Sequence, residues 1–272
     1  MKPEEVKAAE AKAAVAAVFD RSAGTYEQTG PRFFAPMGRA LAGRAGIAPG
    51  DRVLDVGCGR GHVLRPAAEA AGPGGTVIGT DLAPGMVAGA AEAVADLPWA
   101  STRLGDAAAP DFPDASFDVV LAGLVIFFLP SPEDALAEYR RVLRPGGRLA
   151  FSTFGRQDPV FEAAVKAIAA FAPPGGGERP VDRFRDPASI RELLAGWDVQ
   201  EITDVTVETR FTGTGQWWDW LWSHGMRALL EQLPEERLPE ARAAAFEAVA
   251  PALTSEGGLV IHTDLRITTA TP

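Results

Sequence analysis

Three acidic residues in this chain each close or follow a short strand-like run. Asp55 ends residues 52–54, Asp81 ends residues 76–80, and Asp106 comes just after residues 101–104. The first opens Asp55-Val56-Gly57-Cys58-Gly59-Arg60-Gly61, whose glycines let backbone approach a ligand closely and tolerate positive φ. The loop reads in two ways. A dinucleotide fingerprint, G-x-G-x-x-G, needs its third glycine where His62 stands, because Gly61 comes one residue early. A carboxylate at Asp55 repels a pyrophosphate and suits a ligand that carries an ammonium group. Asp81 lies 20 residues after Gly61, where an acid can accept both hydroxyls of a ribose. A carboxylate at Asp106 can accept an adenine amino group. Taken singly, the glycine loop is also a tight strand–helix turn and each Asp a turn former. Three acids after three successive strands converge on one crevice. S-adenosylmethionine (SAM) carries an ammonium, a sulfonium and no phosphate, and so matches this acidic lining.

The elements that must position these residues alternate. Strand-like runs occupy residues 52–56, 76–80, 101–104, 117–124, 148–154, 199–211 and 259–268. Helical stretches span residues 62–71, 84–95 and 158–171, and a further one covers 186–195. Ser131-Pro132-Glu133-Asp134 starts another, with a cap, a proline in the first turn and acids beside it, and Pro145-Gly146-Gly147 ends it. Strands alternating with helices predict an α/β fold: a doubly wound, Rossmann-like, mostly parallel seven-stranded sheet. Residues 216–233 and 239–249 predict two helices between the last two strands, a lid over the sheet's carboxyl edge. The chain divides into an N-terminal helical segment (1–45), a core (46–155) and a C-terminal part (156–272) whose lid spans about 214–250. Pro173-Pro174-Gly175-Gly176-Gly177 reads as a mobile loop.

Composition narrows the function. The 272 residues are 47% hydrophobic and 23% charged, as in a soluble globular protein. One Cys excludes a disulfide framework and a Cys-based zinc site. A net charge of −10 without a Lys/Arg block argues against DNA or RNA as substrate. The charged residues among the first 18 exclude a secretory leader, and the longest apolar run, residues 119–129, is about half of the roughly 20 residues of a membrane span. A soluble, cytoplasmic protein without membrane or nucleic-acid partners is the expectation.

The blocks Val53-Leu54-Asp55-Val56-Gly57-Cys58-Gly59-Arg60-Gly61, Gly79-Thr80-Asp81-Leu82-Ala83-Pro84-Gly85-Met86, Phe112-Pro113-Asp114-Ala115-Ser116-Phe117-Asp118-Val119-Val120 and Arg141-Val142-Leu143-Arg144-Pro145-Gly146-Gly147-Arg148-Leu149 resemble the motifs of class I SAM-dependent methyltransferases over about residues 20–155. They are most similar to the small-molecule branch that includes ubiquinone/menaquinone-type and natural-product enzymes. The resemblance implies SAM as cofactor, with S-adenosylhomocysteine as product. It places Asp55, Gly57 and Gly59 at the methionine part, Asp81 and Leu82 at ribose and adenine, and Met86 along the adenine pocket. Asp106 and Ala107 meet adenine, Ala122 and Gly123 lie beside the sulfonium, and Tyr26 resembles a tyrosine of the N-terminal segment that closes over SAM. No Asn/Asp-Pro-Pro-Tyr/Phe block follows the fourth strand, where Ala122-Gly123-Leu124-Val125 stands, and no metal is expected.

The acceptor side rests on Gln216-Trp217-Trp218-Asp219-Trp220-Leu221-Trp222-Ser223-His224. On one helix, Trp217, Leu221 and His224 share a face and Trp218 and Trp222 the neighbouring one. Trp217, Trp218 and Leu221 would wall a hydrophobic or aromatic acceptor, or else simply pack a lid into the core. Of three His, His224 is the candidate base; His62 reads as a first-turn residue and His262 as solvated beside Asp264 and Arg266. A carboxylic acceptor needs no base. Arg179, Arg183 and Arg185 could hold an anion or form a solvated loop face. The expected activity is methyl transfer from SAM to O, C or N of a small specialised metabolite, by a monomer or homodimer. A SAM-fold enzyme of a non-methylating step such as cyclisation, and a nonenzymatic SAM-binding assembly protein, stay open.

Overall fold

The computed structural model describes residues 3–173 and 183–272. Seven strands form one sheet: β1 (Arg52–Val56), β2 (Thr76–Asp81), β3 (Ala100–Leu104), β4 (Phe117–Gly123), β5 (Leu143–Gln157), β6 (Asp198–Phe211) and β7 (Leu259–Thr271). Their order is β3-β2-β1-β4-β5-β7-β6. The first five strands are parallel, and β7 runs antiparallel between β5 and β6. The doubly wound, mostly parallel sheet read from the sequence is the observed one. β1 lies between β2 and β4, so the winding direction reverses there and a crevice opens at the carboxyl ends of β1 and β4. Near-continuous apolar runs are what such a place demands: β4 is buried along both faces from Phe117 to Ala122.

The helices are α1 (Pro3–Ser22), α2 (Phe34–Arg44), α3 (Leu64–Ala71), α4 (Pro84–Ala93), α5 (Pro132–Val142), α6 (Pro159–Ala169), α7 (Pro187–Leu193), α8 (Thr214–Leu221), α9 (Arg227–Leu230) and α10 (Leu238–Val249). Side-chain caps set several starts: Ser131 accepts from the Asp134 amide, Asp158 from Val160 and Asp186 from Ala188. Alternate side chains along the strands feed two cores. Val53, Val119 and Leu121 pack with α2, α3 and the aromatic residues of α8, whereas Leu54, Val56, Val120 and Phe151 pack with α5 and α7. No helix among the described residues is long and apolar enough to cross a membrane.

Several local expectations are corrected. α5 stops at Val142, and β5 begins at once with Leu143 paired to Phe117. Pro145-Gly146-Gly147 is absorbed in the register shift before Arg148 pairs with Val119, with Gly146 at φ +79°. The single helix expected over 216–233 is broken after Leu221, where the Ser223 hydroxyl turns back onto the Trp220 carbonyl, and resumes only as the short α9. His262 is exposed as expected, but Asp264 and Arg266 are buried. Arg266 makes a two-pronged pair with Asp204 at 2.8 and 2.7 Å and also donates to the Arg185 carbonyl, while Asp264 accepts from Thr206 at 2.6 Å. Arg183 pairs with Glu133, and Arg185 pairs with Glu162 at 2.7 Å. Residues 174–177 of the expected loop and Arg179 lie outside the described residues.

Candidate active site

The glycine loop starts where β1 ends. Gly57, Gly59 and Gly61 all take positive φ, at +65°, +53° and +86°. A Cβ on Gly57 would lie 2.5 Å from Val125 Cγ2 in the loop after β4, so only glycine lets the β1 and β4 loops approach this closely. The Cys58 amide donates to the Thr80 carbonyl at 2.9 Å, tying the loop to β2.

The three acids occupy three different environments. Asp55 is fully buried and neither carboxylate oxygen has a hydrogen-bond partner among the described residues. Burial, with Asp81 nearby, holds its carboxyl well above the usual range. Asp81 accepts the Gly59 amide on Oδ2 and the Ala83 amide on Oδ1, both at 2.9 Å. These bonds oppose the upward push of burial on its pKa. Asp106 accepts the Ala108 amide at 2.8 Å and pairs with Lys12 of α1 at 2.6 Å. Leu82 is 40% exposed beside it, and a cavity of about 530 Å³ runs between Leu82, Asp106 and the alanines of α1. Ala107 is held from below by the Tyr139 hydroxyl at 2.8 Å. Met86 is buried against Ala23, Ala83, Phe19 and Tyr26. Ala122 is buried at the end of β4, and a Cβ on Gly123 would meet Val63 at 2.7 Å.

Donor chemistry and geometry fit SAM at this crevice. A buried carboxylate with two open oxygens suits an ammonium, and Asp81 keeps lone pairs beyond those given to amides. The N-terminal segment covers the same loops. Asp20 accepts the Gly85 amide at 2.7 Å, and Arg60 donates to the Ala23 carbonyl at 2.6 Å.

Above the crevice runs a chain of rings. Tyr26 stacks on Phe34 (centroids 4.8 Å, 20° between planes) and on His62 (6.0 Å, 22°). Phe34 meets His224 edge-on at 5.6 Å, and His224 lies 4.2 Å from Trp220. Phe33, Phe161 and Phe211 complete the nest around Trp220. His62 approaches Glu27 at 3.1 Å, and Glu27 is anchored by the Phe34 amide and the Ala35 amide, the latter at 3.0 Å. Burial, with Arg60, Arg32 and Arg39 nearby, lowers His62 to about 4.

The helical-wheel assignment of the lid carries over in part: Trp217 and Leu221 share a buried face, and Trp218 and Trp222 line one cavity beside Phe246. Trp217 and Leu221 have no exposure, Trp218 packs on Phe246 of α10, and Trp220, on neither expected face, turns toward Phe33 and His224. Among the described residues the indole N–H groups of Trp217 and Trp220 both lack an acceptor, and both rings belong to the same apolar core. His224 is buried, and burial alone lowers it to about 3. Its Nδ1 accepts the Met226 amide at 3.4 Å, so the neutral ring carries its proton on Nε2. Glu27, Phe33, Phe34 and Trp220 were not singled out by sequence reasoning. A Phe-Phe pair after Gly30-Pro31 is their one local signal.

Comparison with known proteins agrees with this geometry. A family described as "Methyltransferase domain" matches residues 54–151. The chain is similar to nocamycin O-methyltransferase of Saccharothrix syringae, 38% identical over 238 residues, covering 81% of this chain and 85% of that one. It is also similar to aklanonic acid methyltransferase DauC of Streptomyces sp. strain C5, 44% identical over 156 residues, or 57% and 69% of the two chains. Among solved structures, a candidate type II methyltransferase from Anaeromyxobacter dehalogenans superimposes with a TM-score of 0.60 at 24% identity, over 89% of this chain and 97% of that one. The [4+2]-cyclase SpnF does so at 0.53 and 22%, over 88% and 80%, a likeness of fold alone.

Proposed function

The chain belongs to the SAM-dependent methyltransferases, enzymes acting here on a small molecule, and from that premise we propose that it methylates an oxygen of a hydrophobic or aromatic natural product. Oxygen is favoured by its similarity to nocamycin O-methyltransferase. The observation that carries the cofactor reading is Asp55, buried under the glycine loop with both oxygens open.

In this reading, the Asp55 carboxylate holds the ammonium of SAM, with the Gly57 and Gly59 backbone against its methionine part. Asp81 takes the ribose hydroxyls from the same carboxylate that braces Gly59. Leu82, Asp106 and Ala107 hold adenine, with Lys12 giving way at Asp106. Met86 supports this pocket from behind Tyr26. Ala122 and Gly123 leave room beside the sulfonium, and Tyr26 closes the N-terminal segment over it. When bound, SAM supplies an electrophilic methyl on a positively charged sulfur. The rings of Tyr26, Phe34 and Trp220 exclude water and favour that charge through their π-faces. Trp217, Trp218 and Leu221 brace the ring nest from behind. Holding acceptor oxygen and methyl in line at about 3 Å contributes the larger share of the rate.

Calorimetric titration of the chain with SAM and S-adenosylhomocysteine tests the reading. Micromolar affinity for both is expected, and labelled methyl then follows transfer to candidate acceptors. Failure of both ligands to bind would refute the assignment.

A further inference from the structure

Two buried N–H groups in the ring nest have no acceptor among the described residues: Nε2 of His224 and Nε1 of Trp220. Their residues are 7% and 3% exposed and their ring centroids are 4.2 Å apart. A buried donor left unpaired is costly, on the order of 1–3 kcal/mol, so two on adjoining rings point to a ligand that supplies oxygen. Both nitrogens can only donate. Trp Nε1 has no lone pair to offer, and His224 Nδ1 is committed to the Met226 amide, which leaves the proton on Nε2. The nest joins the cofactor crevice through Phe34 and Tyr26. Resting on the methyltransferase reading above, we propose that His224 Nε2–H and Trp220 Nε1–H together bind one oxygen of a carboxylate on an aromatic or otherwise apolar acceptor, so that His224 is a hydrogen-bond donor to substrate and not a base.

The chemistry closes without a proton acceptor. One carboxylate oxygen forms the new O–CH₃ bond as the methyl–sulfur bond of SAM breaks, and that bonding pair leaves on sulfur. An anion and a sulfonium become a neutral ester and a neutral thioether, and no proton moves. The second oxygen, held by the two N–H groups, becomes the ester carbonyl. A carboxylic acid is already ionised at neutral pH, so it arrives ready to react in a site whose His224 offers no lone pair. Two neutral donors also avoid competing with the sulfonium as counter-ion of the carboxylate. Arg32 and Arg39 lie close enough to His62 to depress its pKa, and Glu27 and Asp81, which raise that of Tyr26, are the negative groups at the same end.

The test uses the full chain saturated with S-adenosylhomocysteine and three probes sharing one ring: 2-naphthoate, 2-naphthamide and 2-naphthalenemethanol. Calorimetry is expected to give 2-naphthoate at least about tenfold tighter binding than the other two, as for hydrogen bonds to a charged acceptor. H224F and W220F, which keep a ring and remove the N–H, are expected to abolish that preference. H224Q, which keeps a donor but cannot act as a base, is expected to retain most of it. Equal binding of the three probes, no binding of any, or a preference untouched by H224F and W220F overturns the proposal. Nitrogen-15 NMR of the imidazoles in the free chain, assigned with H224Q, gives a readout independent of the cofactor. His224 is expected as the neutral Nε2–H tautomer at pH 7; an Nδ1–H tautomer or an imidazolium overturns the proposal. Loss of S-adenosylhomocysteine binding in the parent chain would instead refute the cofactor site.

Discussion

Replacing Asp55 by Asn separates the cost of the cofactor site from its use. In the free chain the Asp55 carboxyl is fully buried, has no hydrogen-bond partner among the described residues and lies near Asp81, so it stays protonated well above its ordinary value of 3.8. The unfolded chain ionises at the ordinary value, so across the interval between the two pKa values the native state binds the extra proton. Stability contributed by this group therefore falls as pH rises through that interval, by up to about 1.4 kcal/mol per pH unit. Asn does not titrate, and D55N is expected to flatten this slope and to gain stability over the parent as pH rises. Binding runs the other way. An ammonium requires the carboxylate, so cofactor binding to the parent chain should release a proton and tighten about tenfold per pH unit within the same interval. Removing one partner of a buried ion pair costs roughly 3–5 kcal/mol, or about 100- to 4000-fold in Kd. Calorimetric titrations in two buffers of different ionisation enthalpy measure affinity and proton release together, and thermal unfolding across pH measures the stability slope. D55N binding SAM within threefold of the parent, with the proton release intact, would refute the reasoning.

Asp81→Asn leaves one oxygen for the loop amides but removes the charge presented to ribose, and about 10- to 100-fold weaker SAM binding is expected by calorimetry. Gly57→Ala puts a methyl 2.5 Å from Val125 at φ +65°, so a loss of about 1–3 kcal/mol in urea unfolding should accompany weakened cofactor binding. Trp217→Ala empties a fully buried place behind the ring nest and should cost about 3–5 kcal/mol in the same assay.

The crevice at the ends of β1, β2 and β3 was legible because its determinants are local. A glycine loop needs positive φ at Gly57, Gly59 and Gly61, and the residue types that permit it are contiguous in sequence. Asp55 and Asp81 lie at the ends of short strands with apolar interiors, Asp106 follows the more polar β3, and parallel pairing of β1, β2 and β3 brings these ends together. Less was legible where two neighbours compete for one stretch. Proline and two glycines after α5 read as a terminator, yet Leu143 and Arg148 both pair with β4 and the sheet absorbs the interruption. Alternation in β7 implied a wet face at Asp264 and Arg266. That face is covered, and its charges persist there because Asp204 and Thr206 on β6 satisfy them.

The acceptor half resisted for a different reason: its chemistry is decided by tertiary contacts that no helical period encodes. A wheel drawn through residues 216–233 assumes one continuous axis, whereas the helix stops at Leu221; Trp220 and His224, four residues apart, still meet as neighbours on one helical face would. Phe33 and Phe34, nearly 190 residues away, decide what those two rings meet. Protonation is settled at the same level. A histidine beside tryptophans suggests a base, but the Met226 amide takes the Nδ1 lone pair and burial removes the imidazolium. What His224 keeps is a proton to share. In the proposed reading an acceptor bound here brings its own charge, which ties the choice of methylated atom to the substrate oxygen that is ionised before it arrives.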